Sequence, residues 1–454
     1  MRKLSLLILT VFICVFAASN VSAFTFTPDF DITSEAAYLY NIDTGEVVYQ
    51  KNADKQLVPA SLTKIMTAIL VLEKFEDDIS AMSTTYISGT SACFDELYLT
   101  GCSNADIQIG EKVSYKDLLY ALMLRSACEA ANILAYDIGG SLSGFADMMN
   151  DKAAVLGCKN THFTNSHGLF WENHYTTAED MAKITLYAMS LPMFMEISCS
   201  PTYEMEATNF HSKPRTISHT NYMMSKTNGG DYYYEYVRGI KTGTLDEAGR
   251  CLVTTANKDG YSYLLVTLNA PQKDENGNNH FYNFDDHKKI YQWAFENFEY
   301  TDIVLGTEEK AEVPVEFGEG KDFVIVKPSG TYSKIWNKRI PLSSIHEVIE
   351  VEQNVIAPVK AGDKLGTIEY QYGGETLVKM DLIATTSLER SQKAEMMTVA
   401  ESFIGSKDFY SAIKWSAGFF LVYTVLIIVL KIVFHNQNKK RGRMYGGAKI
   451  KRYK

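Results

Sequence analysis

Hydrophobic and polar positions divide this chain into a first part with helical periods and paired strands, and a later part of short strands alone. Apolar residues recur at helical spacing from Ile65 to Leu72, from Tyr115 to Leu124 and from Glu129 to Ile138. The last of these runs into Gly139-Gly140, a stop signal. Residues 143–200 read as mostly helical, broken by the loop Thr164-Asn165-Ser166-His167-Gly168-Leu169, and a final helix is predicted over Lys288 to Phe298. Strand patterns frame these helices. Ala36 to Lys51 reads as a hairpin around Asp43-Thr44-Gly45, and Cys251 to Ala256 pairs with Tyr261 to Leu268 across Asn257-Lys258-Asp259-Gly260. The segment Tyr232 to Gly239 leads into Ile240-Lys241-Thr242-Gly243-Thr244. After about Tyr300, turns recur about every eight to twelve residues up to Leu388, around strands such as Phe323 to Lys327, Val348 to Glu352 and Leu365 to Tyr370. The pattern predicts an α+β fold, a helical cluster beside an antiparallel sheet, followed by a small all-β domain.

The two ends change the picture from soluble to exported. Residues 1–23 read as a signal peptide: Arg2 and Lys3, an apolar run from Leu4 to Ala18, then Val21-Ser22-Ala23 as a small-x-small cleavage site. Residues 415–435 are apolar enough to span a bilayer, after a stalk over 389–414 and before a basic tail over 436–454. The tail carries Lys439, Lys440, Arg441, Arg443, Lys449, Lys451, Arg452 and Lys454. Its charge places the C-terminus in the cytoplasm and the main body outside. The domains expected are therefore 24–300 and 301–388, on a single-pass anchor in the cell membrane.

Charge follows the same division. The chain totals −10; setting aside +2 from the signal and +8 from the tail leaves −20 on the body. An acidic exterior argues against nucleic acid as a partner, and an anionic substrate would need a local cation. Of the seven cysteines, Cys14 leaves with the signal. Cys93 and Cys102 bracket a loop and could be bridged in an oxidising exterior, or all six could stay as thiols. No His-Glu-x-x-His or paired Cys-x-x-Cys appears, so neither a metal nor another cofactor is expected.

The candidate chemistry begins at Pro59-Ala60-Ser61-Leu62-Thr63-Lys64. Ser61 and Lys64, three apart at a helix start, share one face; a lysine amine can take the proton of a serine hydroxyl that is otherwise a poor nucleophile. Backbone N–H groups at the same helix end suit a developing oxyanion. Alone, this spacing is common in capped surface helices. It gains weight from Ser126, at the break between two helices, and from Lys241-Thr242-Gly243-Thr244. There a strand could pair with a peptide, and a lysine with threonines could hold a carboxylate.

Ser61-x-x-Lys64, Ser126-x-Cys128 and Lys241-Thr242-Gly243 in this order resemble the penicillin-binding protein and serine β-lactamase superfamily. The surrounding text is most similar to the low-molecular-mass, serine-type D-alanyl-D-alanine carboxypeptidases of the peptidase S11 family. It includes Asn165-Ser-His-Gly-Leu, Tyr175-Thr-Thr-Ala-Glu-Asp, His219-Thr-Asn and, in the β-module, Ile356-Ala-Pro-Val-Lys-Ala-Gly-Asp. The resemblance implies a β-lactamase/transpeptidase-like domain that trims the terminal D-alanine from peptidoglycan pentapeptides and is acylated by β-lactams. It implies that Ser61 is the nucleophile, Lys64 the base and Ser126 a proton relay. Lys241, Thr242, Gly243, Thr244 and Cys128 would bind substrate, with the N–H groups of Ser61 and Thr244 as oxyanion hole.

Cys128 departs from the family pattern, which has asparagine there; cysteine is a weak donor, which puts substrate grip in doubt. Two rivals follow. One is a wall-binding scaffold weakened at Cys128, against which the intact Ser61, Lys64, Ser126 and Lys241 speak. The other is a serine β-lactamase, which would need a deacylating carboxylate that the sequence does not offer. His167 and His219 are expected to be structural hydrogen-bonding groups, and Glu179 and Asp180 to be capping charges on a helix start.

Overall fold

The computed structural model describes residues 26–444, so the expected signal peptide and the last residues of the basic tail lie outside the described residues. The chain forms two compact units. The first takes the chain up to Ile303 with Ser333–His346 and Tyr372–Leu377; the second takes Val304–Tyr332, Glu347–Gln371 and the chain from Val378.

The first unit is built on a five-stranded antiparallel sheet. Its strands are β1 (Ala36–Asn41), β2 (Glu46–Lys51), β3 (Val237–Leu245), β4 (Gly249–Lys258) and β5 (Tyr261–Ala270), in the order β2-β1-β5-β4-β3. Period-two side-chain alternation explains how one sheet serves two cores. Ala36, Cys251, Val253, Leu264, Val266 and Leu268 face the helical cluster. Their neighbours Ala37, Leu39, Leu252, Tyr263 and Leu265 face the opposite layer, formed by the C-terminal helix of this unit. With both faces covered, β4 is buried from Gly249 to Ala256, although an antiparallel sheet often leaves one face wet.

The helices are α1 (Lys64–Lys74), α2 (Tyr115–Tyr120), α3 (Cys128–Gly139), α4 (Leu142–Val155), α5 (Ala178–Ser190), α6 (Phe194–Ser198) and α7 (Tyr282–Asn297). In α1 every residue from Lys64 to Leu72 is buried, so the helix runs through the core rather than along its edge. Each fully buried Leu, Ile or Met there contributes on the order of 1.5–3 kcal/mol. Thr177 caps α5 by accepting the Asp180 N–H at 3.1 Å, with Glu179 and Asp180 in the first turn, as expected of capping charges. A short hairpin, Thr202–Met205 with Arg215–Ser218, was not predicted, because its polar edge strands carry little periodicity. Tyr232 is not in a strand; it packs edge-on against Phe281.

The second unit holds a six-stranded sheet in the order His346–Val351, Lys364–Tyr372, Glu375–Ala384, Phe323–Pro328, Ala311–Glu316 and Val355–Ile356. Two helices follow, α8 (Gln392–Ile404) and α9 (Lys407–Met444). Residues 407–438 are long and apolar enough to cross a membrane, with a mean hydropathy of 2.5 and none of that window buried.

Candidate functional site

Ser61 sits on a 3₁₀ turn, Ala60–Thr63, that precedes α1, rather than on the α-helix itself. With three residues per turn, positions i and i+3 eclipse, and this brings Lys64 Nζ to 3.0 Å from Ser61 Oγ. Lys64 is wholly buried. Its Nζ also meets the His167 carbonyl at 2.5 Å and Cys128 Sγ at 3.6 Å, so three polar partners surround it.

Two glycines let neighbouring strands of chain press onto that turn. Gly168 has φ +83°, and a Cβ there would fall 1.9 Å from the Ala60 carbonyl oxygen. At Gly243 a Cβ would meet Pro59 O at 3.0 Å and Ser61 N at 3.2 Å. The close approach at Gly243 is thus to the Ser61 turn. It sets the Lys241–Thr244 stretch of the edge strand β3 beside Ser61.

Ser126 and Cys128 come from the junction between the π-helical end of α2 and the start of α3. Ser126 adopts the left-handed conformation, φ 63°, uncommon for a non-glycine residue and costing of order 1 kcal/mol or more. Its Oγ is buried with no hydrogen-bond partner among the described residues. A buried hydroxyl left unsatisfied is costly, so it is poised for a ligand or a proton. Lys241 is wholly buried and donates to the Thr242 carbonyl at 3.1 Å. Burial holds its ammonium well below the usual lysine range, and the charge of Lys64 adds to the effect. Thr242 Oγ1 bonds Thr220 Oγ1 at 2.6 Å, while Thr244 is exposed on the same strand.

The loop 164–169 is held by a network that the sequence did not reveal. His167 Nδ1 accepts the Leu169 N–H at 3.1 Å, so Nε2 carries the proton and donates to Glu96 at 2.8 Å. Burial keeps His167 below the ordinary histidine range, and its hydrogen bond holds Glu96 low. Asn132 on α3 donates to Glu96 at 2.8 Å and accepts from Ser166 Oγ at 2.7 Å. His174 Nδ1 accepts from the Thr164 N–H at 3.0 Å, and its Nε2 bonds Thr63 Oγ1 at 2.9 Å. His219 accepts from the Asn221 N–H at 2.9 Å. Burial lowers both His174 and His219 to about 3. Each of these histidines is hydrogen-bonded to the surrounding chain, in keeping with the structural role expected for His167 and His219. Glu96, Asn132, His174 and Thr220 had no motif spacing that could have singled them out, because their partners lie far away in the chain.

The six cysteines among the described residues are all free, so no bridge joins Cys93 to Cys102. Cys93 is buried, and Cys102 lies beside Cys128 instead, whose N–H donates to the neighbouring Ser103 carbonyl at 2.9 Å. The described residues hold no group of three or more His, Cys, Asp or Glu placed to bind a metal.

Comparison with known proteins gives the same outline. Residues 22–272 match the D-alanyl-D-alanine carboxypeptidase family, peptidase S11, and residues 298–390 match the C-terminal domain of penicillin-binding protein 5. The D-alanyl-D-alanine carboxypeptidase DacF of Bacillus subtilis is 29% identical over 393 residues, 86% of this chain and 95% of that protein. The crystal structure of the carboxypeptidase DacD from Francisella tularensis superposes with TM-score 0.62 at 21% identity, over 83% of this chain and 98% of that one. The Streptomyces K15 DD-transpeptidase gives TM-score 0.52 at 29% identity, over 60% of this chain and all of that one. Solved mutants of that transpeptidase replace a serine by alanine and, two positions on, a cysteine by asparagine. Ser126 and Cys128 have the same spacing.

Proposed function

This chain belongs to the serine D-alanyl-D-alanine carboxypeptidase family, and from that premise we propose that Ser61 is the residue through which it acts on peptidoglycan stem peptides. The observation that carries the reading is the 3.0 Å contact between Ser61 Oγ and a wholly buried Lys64 Nζ. As the free amine, Lys64 accepts the Ser61 proton while Oγ attacks the carbonyl of the penultimate D-alanine. The N–H groups of Ser61 and Thr244 receive the oxyanion; the tight packing of Gly243 on Ser61 N supports this pairing.

Ser126 and Lys241 then pass a proton to the departing D-alanine amine. The orphaned Ser126 Oγ and the burial of Lys241, which favours its neutral form, suit a relay. Thr242 and Thr244 grip the terminal carboxylate, with the substrate backbone paired along the edge of β3. Water, activated by Lys64, releases the acyl group. Cys128 takes the place of an asparagine amide beside Lys64, and its weak sulfur contact makes it a filler of that position. A β-lactam mimics the acyl-D-Ala-D-Ala end and acylates the same serine.

Residues 24–300 form the peptidase domain in this reading and 301–388 the β-domain, on a stalk over 389–414. The apolar helix anchors the chain in the membrane, with the site outside and the tail in the cytoplasm. The test is D-alanine release from diacetyl-Lys-D-Ala-D-Ala by the detergent-solubilised full chain. Release that disappears in Ser61→Ala is expected. No release from the unmodified chain would overturn the reading.

A further inference from the structure

Two thiols beside the candidate site are held together by the chain around them. The loop before residue 106 is fastened to the start of α3 at three points. The Cys128 N–H donates to the Ser103 carbonyl at 2.9 Å, Arg125 Nε donates to the Asn104 carbonyl at 3.1 Å, and the Ala105 N–H donates to Glu129 at 2.6 Å. The residue next to Ser103 is Cys102, so the backbone bond between Ser103 and Cys128 brings the two cysteines side by side. Cys128 in turn receives a hydrogen from Lys64 Nζ at 3.6 Å.

The two sulfurs differ in access. Cys128 is buried. Cys102 is half-buried and lines an open cavity with Tyr98, Asn104 and Glu129. Interaction with Cys128, helped by Thr100 and the charge of Lys64, lowers the Cys102 thiol to about 6 and raises that of Cys128. Cys102 is thus the more accessible and more acidic thiol, with Cys128 placed behind it as a resolving thiol.

We propose that Cys102 and Cys128 form a redox-active pair whose oxidation to a disulfide by a hydroperoxide slows acylation of Ser61. The chemistry balances in two steps. The Cys102 thiolate attacks a peroxide oxygen; the O–O bond breaks, giving a sulfenic acid and hydroxide, which takes up a proton. The Cys128 sulfur then displaces that hydroxyl group, an S–S bond forms, and the Cys128 proton leaves in a second water. Two thiols are oxidised by two electrons, and one peroxide becomes two waters. The bridge turns Cys128 Sγ toward Cys102 and withdraws it from Lys64. It also ties down the segment that carries Glu96, the partner of His167. This proposal rests on Ser61 being the acylated residue.

The experiment treats the detergent-solubilised full chain with hydrogen peroxide, maps cysteine linkages by peptide mass spectrometry, and follows labelling by a fluorescent penicillin alongside D-alanine release. A Cys102–Cys128 linkage with labelling slowed at least ten-fold, restored by dithiothreitol, is expected. Cys102→Ser should label at the untreated rate and ignore peroxide. Unlinked cysteines, a linkage without slowing, or equal slowing of Cys102→Ser would each overturn the proposal. Absence of labelling in the reduced chain removes the nucleophile assignment and this inference together. Labelling without D-alanine release removes only the substrate reading.

Discussion

Lys64 Nζ is 3.0 Å from Ser61 Oγ, and the lysine that makes this contact has no exposed surface at all. A fully buried ammonium is expensive to desolvate, and its three hydrogen bonds offset that cost only in part. Stability alone would favour an apolar side chain at this position, which supports the proton-transfer role proposed for Lys64.

Lys64→Met should therefore separate the two. D-Alanine release is expected to fall by about 10³-fold or more, as when a base is removed from a serine nucleophile. The melting temperature should hold or rise, since a well-packed apolar replacement of a buried charge is neutral or stabilising. A lower activity accompanied by a clearly lower melting temperature would place Lys64 in the scaffold instead.

Gly168→Ala should be more damaging than Gly243→Ala. The first puts a Cβ 1.9 Å from a backbone oxygen at φ +83°, so the 164–169 loop must lift off the Ser61 turn. The second asks for shifts of a few tenths of an ångström, with nearest contacts of 3.0–3.2 Å. Penicillin labelling rates for the two variants, measured beside their thermal midpoints, check the ranking.

Glu96→Ala leaves the His167 Nε2–H and one Asn132 amide hydrogen without their partner, at a cost of about 1–3 kcal/mol. Glu96→Gln keeps an acceptor and should behave close to the parent. If His167 positions its carbonyl for Lys64, the alanine variant loses kcat more than KM. The glutamine variant should recover most of that loss, as steady-state kinetics on the diacetylated tripeptide would reveal.

Stability should decline on acidification below about pH 6.5. The folded state holds His174 and His219 neutral down to about 3, whereas the unfolded chain protonates both near 6.5. The unfolded state then binds more protons as pH falls, so stability is fully present above 6.5 and is lost progressively down to about pH 3. Two such histidines give a slope of roughly 2.7 kcal/mol per pH unit in that window. Urea midpoints between pH 7.5 and 4.5 measure it, and His174→Gln should lower the slope by about 1.4 kcal/mol per pH unit.

Removal of residues 391–454 should leave the catalytic parameters on a soluble peptide unchanged. Helix α8 has no buried residue, and none of the apolar window in α9 is buried. The shortened chain should appear in the soluble fraction after cell breakage, where the full chain sediments with membranes. Loss of activity in the truncated form would assign the helices a role beyond anchoring.

Much of this protein was legible in its residue order because the deciding interactions are local. Helical and alternating periods set the elements, and the two strands expected on either side of Asp259-Gly260 do pair, although Lys258 opposite Tyr261 shortens the four-residue connection to a two-residue turn. Ser61 and Lys64 meet within one turn, so their contact is a property of spacing. Tertiary structure decided the rest. It put Ser61 on a 3₁₀ turn, since Gly168 and Gly243 press on that turn from segments more than a hundred residues away in the chain. It set Cys128 rather than Cys93 beside Cys102, through backbone bonds between a loop and the start of a helix. It also recruited Glu96, Asn132 and His174, whose roles depend on which distant group fills the last hydrogen-bonding position in a buried space. Local period is written along the chain; the pairing of buried polar groups exists only once the chain has closed on itself.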